Sequence, residues 1–159
     1  MIYARFTVAY WCVFIAASLP SVCAGITKAG MVNKPRRDGG YDNDNPRAWL
    51  ARQTDWRARA NAAQANSFEV LPFFIGAVII AHQLGAHQAR LDLLAFLFVF
   101  LRMLYIMMYV AGLATVRSII WSIALPVNVA ILFLGSRQLI SLKYQPDRVD
   151  PEYGSFCSV

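Results

Sequence analysis

Charged and polar side chains recur at helical spacing inside stretches that are otherwise apolar. Arg59, Asn66, Glu69 and Phe73 follow one another at intervals of seven, three and four residues, and Arg102, Tyr105 and Tyr109 at three and four. Each set therefore lies along one stripe of a helix. Arg117 and Ser118 stand shortly after the second set. Opposite charges on two such stripes can lock helices together, with Asn66 as an interhelical hydrogen bond and the tyrosines as interface anchors. They can also outline a shared polar pocket.

The segments that carry these residues are long enough to cross a membrane. The chain has 159 residues, of which 58% are hydrophobic and only 15% charged, and its mean hydropathy is +0.45. Four apolar blocks account for this. The spacing and composition predict spans over about 6–26, 60–86, 91–113 and 118–142, with a basic loop over 27–59. The predicted fold is all-α, an integral membrane four-helix bundle that occupies 1–159 as a single domain and leaves no soluble domain over. Pro72 and Pro126 fall inside predicted spans, where neighbouring helices can cover the freed carbonyls.

The loop between the first two spans holds Lys28, Lys34, Arg36, Arg37, Arg47, Arg52, Arg57 and Arg59. Basic loops stay cytoplasmic, so this loop and the turn before Arg117 are expected in the cytoplasm, with both termini and the Gly85–Arg90 turn outside. The same loop argues against reading the first span as a cleaved signal peptide, although Val22-Cys23-Ala24 offers a small-residue site. The net charge of +6 is then an orientation signal with an affinity for anionic lipid headgroups. Nucleic acid is a poor partner, because the charges abut spans and no binding fold has room to form. Within the loop, Asn45-Pro46 marks a helix start and Pro46–Gln53 a short helix at the membrane surface. Thr54 or Asp55 is expected to cap the second span.

Depth unites the polar residues. At the helical rise, Glu69 lies ~13 Å and Arg102 ~15 Å below the cytoplasmic boundary, so they are expected to pair, while Asn66 and Tyr105 fall higher, at ~9–10 Å. Arg117 and Ser118 open the fourth span at the rim. A charge near the bilayer centre normally faces a bundle interior or a wet cavity. Other residues carry less. His82 and His87 lie at the outer boundary and form no metal site, and Cys12, Cys23 and Cys157 lack ligand spacing. Asn128 is expected to make a helix–helix hydrogen bond, Met103, Met107 and Met108 to pack, and the tail from Lys143 to be poorly ordered. A small channel is a weak reading, because the charges cluster toward one face instead of lining a path to both.

The stretch Arg59-Ala-Asn-Ala-Ala-Gln64-Ala-Asn66-Ser-Phe-Glu69-Val-Leu-Pro72-Phe73 resembles the second-helix signature of the MAPEG family, the membrane-associated proteins in eicosanoid and glutathione metabolism. Arg102-Met-Leu-Tyr105-Ile-Met-Met-Tyr109, followed by Arg117-Ser118, resembles the third- and fourth-helix pattern, and Tyr41-Asp-Asn-Asp-Asn-Pro46-Arg47 looks like the bacterial branch. The resemblance implies a homotrimer in a bacterial inner membrane, with glutathione as co-substrate bound between subunits near the cytoplasmic side. It implies glutathione contacts from Asn66, Glu69, Arg102 and Tyr105, and a thiolate held by Arg117 with Tyr109 or Ser118 assisting. Several eukaryotic members carry a basic residue where this chain has Ala62, and Arg59 or Arg57 is the expected stand-in. The implied activity is a membrane glutathione transferase or peroxidase acting on a hydrophobic small molecule that arrives from the lipid. The alternative is a non-catalytic lipid-binding or scaffold protein of the same fold.

Overall fold

The computed structural model describes residues 6–143, with side chains as far as Gly135. The polar tail and Cys157 lie outside the described residues. The elements are α1 (Val8–Lys28), a 3-10 turn (Arg36–Asp38), α2 (Pro46–Ala51), α3 (Trp56–Gln83), α4 (Gln88–Ala111) and α5 (Ala114–Lys143). Helices α1, α3, α4 and α5 are each long and apolar enough to cross a membrane. The protein is an all-helical integral membrane bundle, and the described residues contain no strand.

Helices α3 and α4 form the central pair. Helix α1 packs along one side of that pair and α5 along the other, and α1 and α5 do not touch among the described residues. Small side chains allow the close approach of α1 and α3: Ala9, Cys12 and Ala16 on one, Ala77 and Ala81 on the other, all buried. Without a hydrophobic force between helices in lipid, such close van der Waals packing is what holds a bundle together. In the middle of the membrane Phe74 of α3 stacks on Phe98 of α4, with ring centroids 4.3 Å apart. Trp11, Phe14, Leu93, Phe96 and Ile119 face outward as an apolar belt, the surface that lipid tails require.

Helix ends differ from the sequence expectation for identifiable reasons. Helix α3 begins at Trp56 because the Asp55 carboxylate accepts from the Arg57 backbone N–H at 2.9 Å, so Asp55 and not Thr54 is the cap. Helix α4 ends at Gly112 in the left-handed region (φ 80°), which reverses the chain within two residues. Helix α5 therefore starts at Ala114, and the Arg117 N–H already bonds to Leu113 O at 3.0 Å. Arg117 and Ser118 stand inside the helix, not at its opening. At the opposite face, Asp92 of α4 closes the start of α1: its Oδ1 accepts from the Ala9 N–H and from Gln88 Nε2, both at 2.8 Å.

The loop after α1 is folded on itself. Arg36 Nη1 pairs with Asp44 at 2.6 Å, and this guanidinium holds the Asp44 carboxyl below the usual carboxylate range. The Arg57 backbone N–H does the same for Asp55. Asp42 Oδ1 accepts from the N–H groups of Asp44 and Asn45, so the start of α2 is organised by Asp42, while Asn45 makes no side-chain cap bond. The Trp49 side chain is turned into the loop. It is 3% exposed, donates from Nε1 to Gly39 O and meets the Tyr41 ring edge-on, with Lys28 Nζ 4.6 Å from that ring. The basic loop is thereby tied to the end of α1.

Candidate functional site

Arg102 is 2% exposed, near the middle of α4. The ion pair expected with Glu69 is not direct. Arg102 Nη2 donates to Asn66 Oδ1 at 3.0 Å and to Ser67 Oγ at 3.4 Å, and Asn66 Nδ2 donates to Glu69 Oε2 at 3.2 Å. The amide of Asn66 accepts on one side and donates on the other, so it bridges a buried guanidinium and an exposed carboxylate. The geometry has a simple cause. Asn66 and Glu69 are one turn apart on α3, and a long arginine side chain from a helix at matched depth reaches the nearer of the two.

The aromatic residues continue this line toward the rim. The Arg102 guanidinium lies 4.4 Å from the Tyr105 ring centroid. Tyr105 and Tyr109 meet edge-on at 5.5 Å, and the Arg117 guanidinium lies 4.2 Å from the Tyr109 centroid. A ring face attracts a cation electrostatically, more strongly where water is excluded. Two helices thus hold two guanidinium groups against one aromatic ladder. Tyr105, Tyr109, Arg117, Ser118, Trp121 and Ser122 line an open polar pocket of about 430 Å³. The Ser118 hydroxyl donates back to Ala114 O at 3.0 Å, which commits its proton to the helix.

A second cavity, of about 210 Å³, lies deeper, lined by Glu69, Val70, Phe73, Phe98, Arg102, Trp121, Ala124, Leu125 and Asn128. Trp121 borders both cavities. Asn128 is 2% exposed and its Oδ1 has no hydrogen-bond partner among the described residues, so the expected helix–helix bond does not form there. Arg59 stands apart from the Asn66 cluster: its Nε donates to Val110 O at 3.0 Å beside Gly112, where a cation suits the C-terminal end of α4. Arg57 is held by Asp55 and by Ala29 O. His82 faces the Tyr10 ring.

The structure therefore brings Asn66, Glu69 and Arg102 into one network, and Tyr105, Tyr109, Arg117 and Ser118 around one cavity. Sequence reasoning passed over Trp121 and gave Asn128 another role. The signal was present: Arg117, Trp121, Ala124 and Asn128 follow at intervals of four, three and four, the periodicity that singled out the other two stripes. Ser67, an acceptor for Arg102, had no such pattern to mark it.

Comparison with curated proteins and with solved structures finds no match. The family model of MAPEG matches residues 8–136, which takes in α1, α3 and α4 whole, α5 as far as residue 136, and every residue of the two cavities. With four apolar helices and the polar residues of three of them drawn to one face, the chain belongs to the MAPEG family.

Proposed function

We propose that this protein is a glutathione-dependent transferase or peroxidase acting on hydrophobic electrophiles or lipid hydroperoxides. The observation that carries this reading is Arg117, held on helical backbone with its guanidinium over the Tyr109 ring, at the wall of a polar cavity within a membrane helix bundle. A thiol has a pKa of about 8.5 and is mostly protonated at neutral pH, and a nearby guanidinium favours the nucleophilic thiolate. The thiolate then displaces a leaving group from carbon, or attacks the O–O bond of a hydroperoxide.

The residues fit the tripeptide by type. Glu69, exposed beside Asn66, suits its ammonium group, and arginine suits its carboxylates through forked hydrogen bonds. Arg59 is the better stand-in at the Ala62 position. Arg57 is taken by Asp55 and Ala29 O, whereas Arg59 uses only Nε and its terminal amino groups make no bond among the described residues. Of the two groups offered to assist the thiolate, Ser118 has its proton engaged by Ala114 O, and Tyr109 assists through the ring face that holds Arg117. Arg102 and Tyr105 position this set from behind.

Glu69 and Phe68 lie exposed on α3, at membrane depth. A carboxylate facing lipid there is costly, which supports a neighbouring copy covering this face in a homotrimer. The charge distribution supports a bacterial inner-membrane orientation with the 27–59 loop in the cytoplasm.

The test is conjugation of glutathione to an aryl halide by the purified protein, beside Arg117→Ala. The expected outcome is turnover by the parent protein and loss of the thiolate absorption band in the variant. Bound glutathione without thiolate or turnover overturns the catalytic assignment. Failure to bind glutathione at all transfers the site to the lipid-binding or scaffold reading, which the largely apolar deep cavity favours.

A further inference from the structure

We propose that Ser122 is a catalytic residue for peroxide reduction, its hydroxyl donating a hydrogen bond to the oxygen that leaves when the O–O bond breaks. Hydroxyl groups inside these helices can satisfy themselves: Ser18, Thr27, Ser67 and Ser118 each donate to the carbonyl four residues back. Ser122 makes no such bond among the described residues, yet it lines the open pocket with Tyr105, Tyr109 and Arg117. By the helical rise it stands ~12 Å along α5 from Ala114, between the exposed apolar side chains of Trp121 and Ile123. A hydroxyl without a partner at that depth is costly, and an occupant of the pocket can supply one.

The register suits the leaving oxygen and not the sulfur. Arg117 and Trp121 form one stripe of α5, Ser118 and Ser122 the next, and both stripes face the pocket. Arg117 lies nearer the rim, and Ser122 follows five residues, ~7.5 Å, deeper. A thiolate held at Arg117 attacks from ~3–3.5 Å. The leaving oxygen then lies one bond beyond the attacked one, and the apolar remainder of the hydroperoxide draws it toward the membrane interior. Ser118 is one turn nearer the rim and has given its proton to Ala114 O. This inference rests on the catalytic reading above and assigns one residue to its peroxide branch. The thiolate sulfur attacks the terminal oxygen of the hydroperoxide, an S–O bond forms, and the O–O bond breaks. Its electron pair departs with the alkoxide, so sulfur is oxidised and the peroxide reduced. Ser122 O–H meets the negative charge as it develops. The alkoxide then takes up from solvent the proton that the thiol gave up, and a second glutathione converts the sulfenic acid to disulfide and water.

The test measures kcat/KM of the full-length protein in nanodiscs for two substrates with glutathione, a tertiary alkyl hydroperoxide and a nitro-substituted aryl chloride. The aryl chloride develops its charge on the nitro groups and not on a leaving oxygen, so the ratio of the two values isolates the donor. Ser122→Ala is expected to lower the peroxide-to-chloride ratio at least about tenfold, and Ser122→Thr, which keeps a hydroxyl, to hold it near the parent value. Ser122→Val, the isostere of the threonine variant, makes the same comparison if the alanine variant fails to fold. A ratio unchanged without the hydroxyl, equal falls for both substrates, or a fall that S122T shares overturns the proposal. A parent protein that conjugates the aryl chloride but reduces no hydroperoxide overturns it as well and keeps the catalytic reading. A parent protein that binds glutathione and turns over neither substrate removes both.

Discussion

Arg102 reaches Glu69 through Asn66: the guanidinium donates to the amide oxygen at 3.0 Å, and the amide nitrogen donates to the carboxylate at 3.2 Å. The carboxamide is suited to this place because it is both donor and acceptor. A direct ion pair would bury both charges, whereas the relay leaves the carboxylate exposed and available to a ligand.

Asn66 should therefore matter more to stability than the arginine it serves. Asn66→Ala leaves a buried guanidinium short of an acceptor and is expected to cost about 1–3 kcal/mol. Arg102→Met removes the buried charge together with its need for partners, and is expected to stay within about 1 kcal/mol of the parent. Thermal unfolding of the two variants in the same detergent makes the comparison. A larger loss for R102M than for N66A would show that the charge itself holds α3 to α4.

The ring of Tyr109, more than its hydroxyl, holds Arg117. Tyr109→Phe keeps the π face and should preserve the grip on the guanidinium, while Tyr109→Leu forfeits a cation–π contact of about 0.5–2 kcal/mol. In a glutathione-conjugation assay that difference appears as a fall of about two- to thirtyfold in kcat/KM for Y109L alone. An equal fall in Y109F would move the role to the phenolic oxygen.

Asp92 closes the first turn of α1 from a different helix. Asp92→Ala should cost about 1 kcal/mol, as loss of a helix N-cap does, and should speed exchange of the Ala9 amide hydrogen. Asp92→Asn retains an acceptor oxygen and loses only the charge near the helix end, so its cost should be the smaller of the two. If the two variants melt together, the hydrogen bond is not what Asp92 contributes.

Acid should loosen the loop before the bundle. The Asp44 carboxyl is lowered chiefly by its hydrogen bond from Arg36, and that of Asp55 by the Arg57 backbone N–H. Carboxyls whose folded pKa is depressed contribute stability above their unfolded pKa and lose it as the pH falls through the folded value. Trp49 emission, which reports the packed loop, is expected to shift below the ordinary carboxylate range while helical circular dichroism is still intact. Asp44→Asn should remove part of that dependence. Loss of both signals together at one pH would place the weak point in the helices instead.

What the sequence determined by itself was the architecture and the cast of the site. Four uncharged or nearly uncharged blocks of bilayer length leave no other fold, since only a helix satisfies its own backbone in lipid. The stripes of Asn66, Glu69, Arg102, Tyr105 and Tyr109 follow from a period that the chain carries on its face. Tertiary structure decided what each of these touches. Whether Arg102 meets Glu69 or Asn66 turns on the side-chain reach between two packed helices, which spacing along either helix does not contain. Trp49 is buried in the loop because Gly39 and Tyr41 fold back to receive it. The Asn128 amide oxygen has no partner among the described residues, where α5 presents the side chain to a cavity. Periodicity assigns a residue to a face, and only the packing of that face against another decides which polar groups are satisfied there and which are left for a ligand.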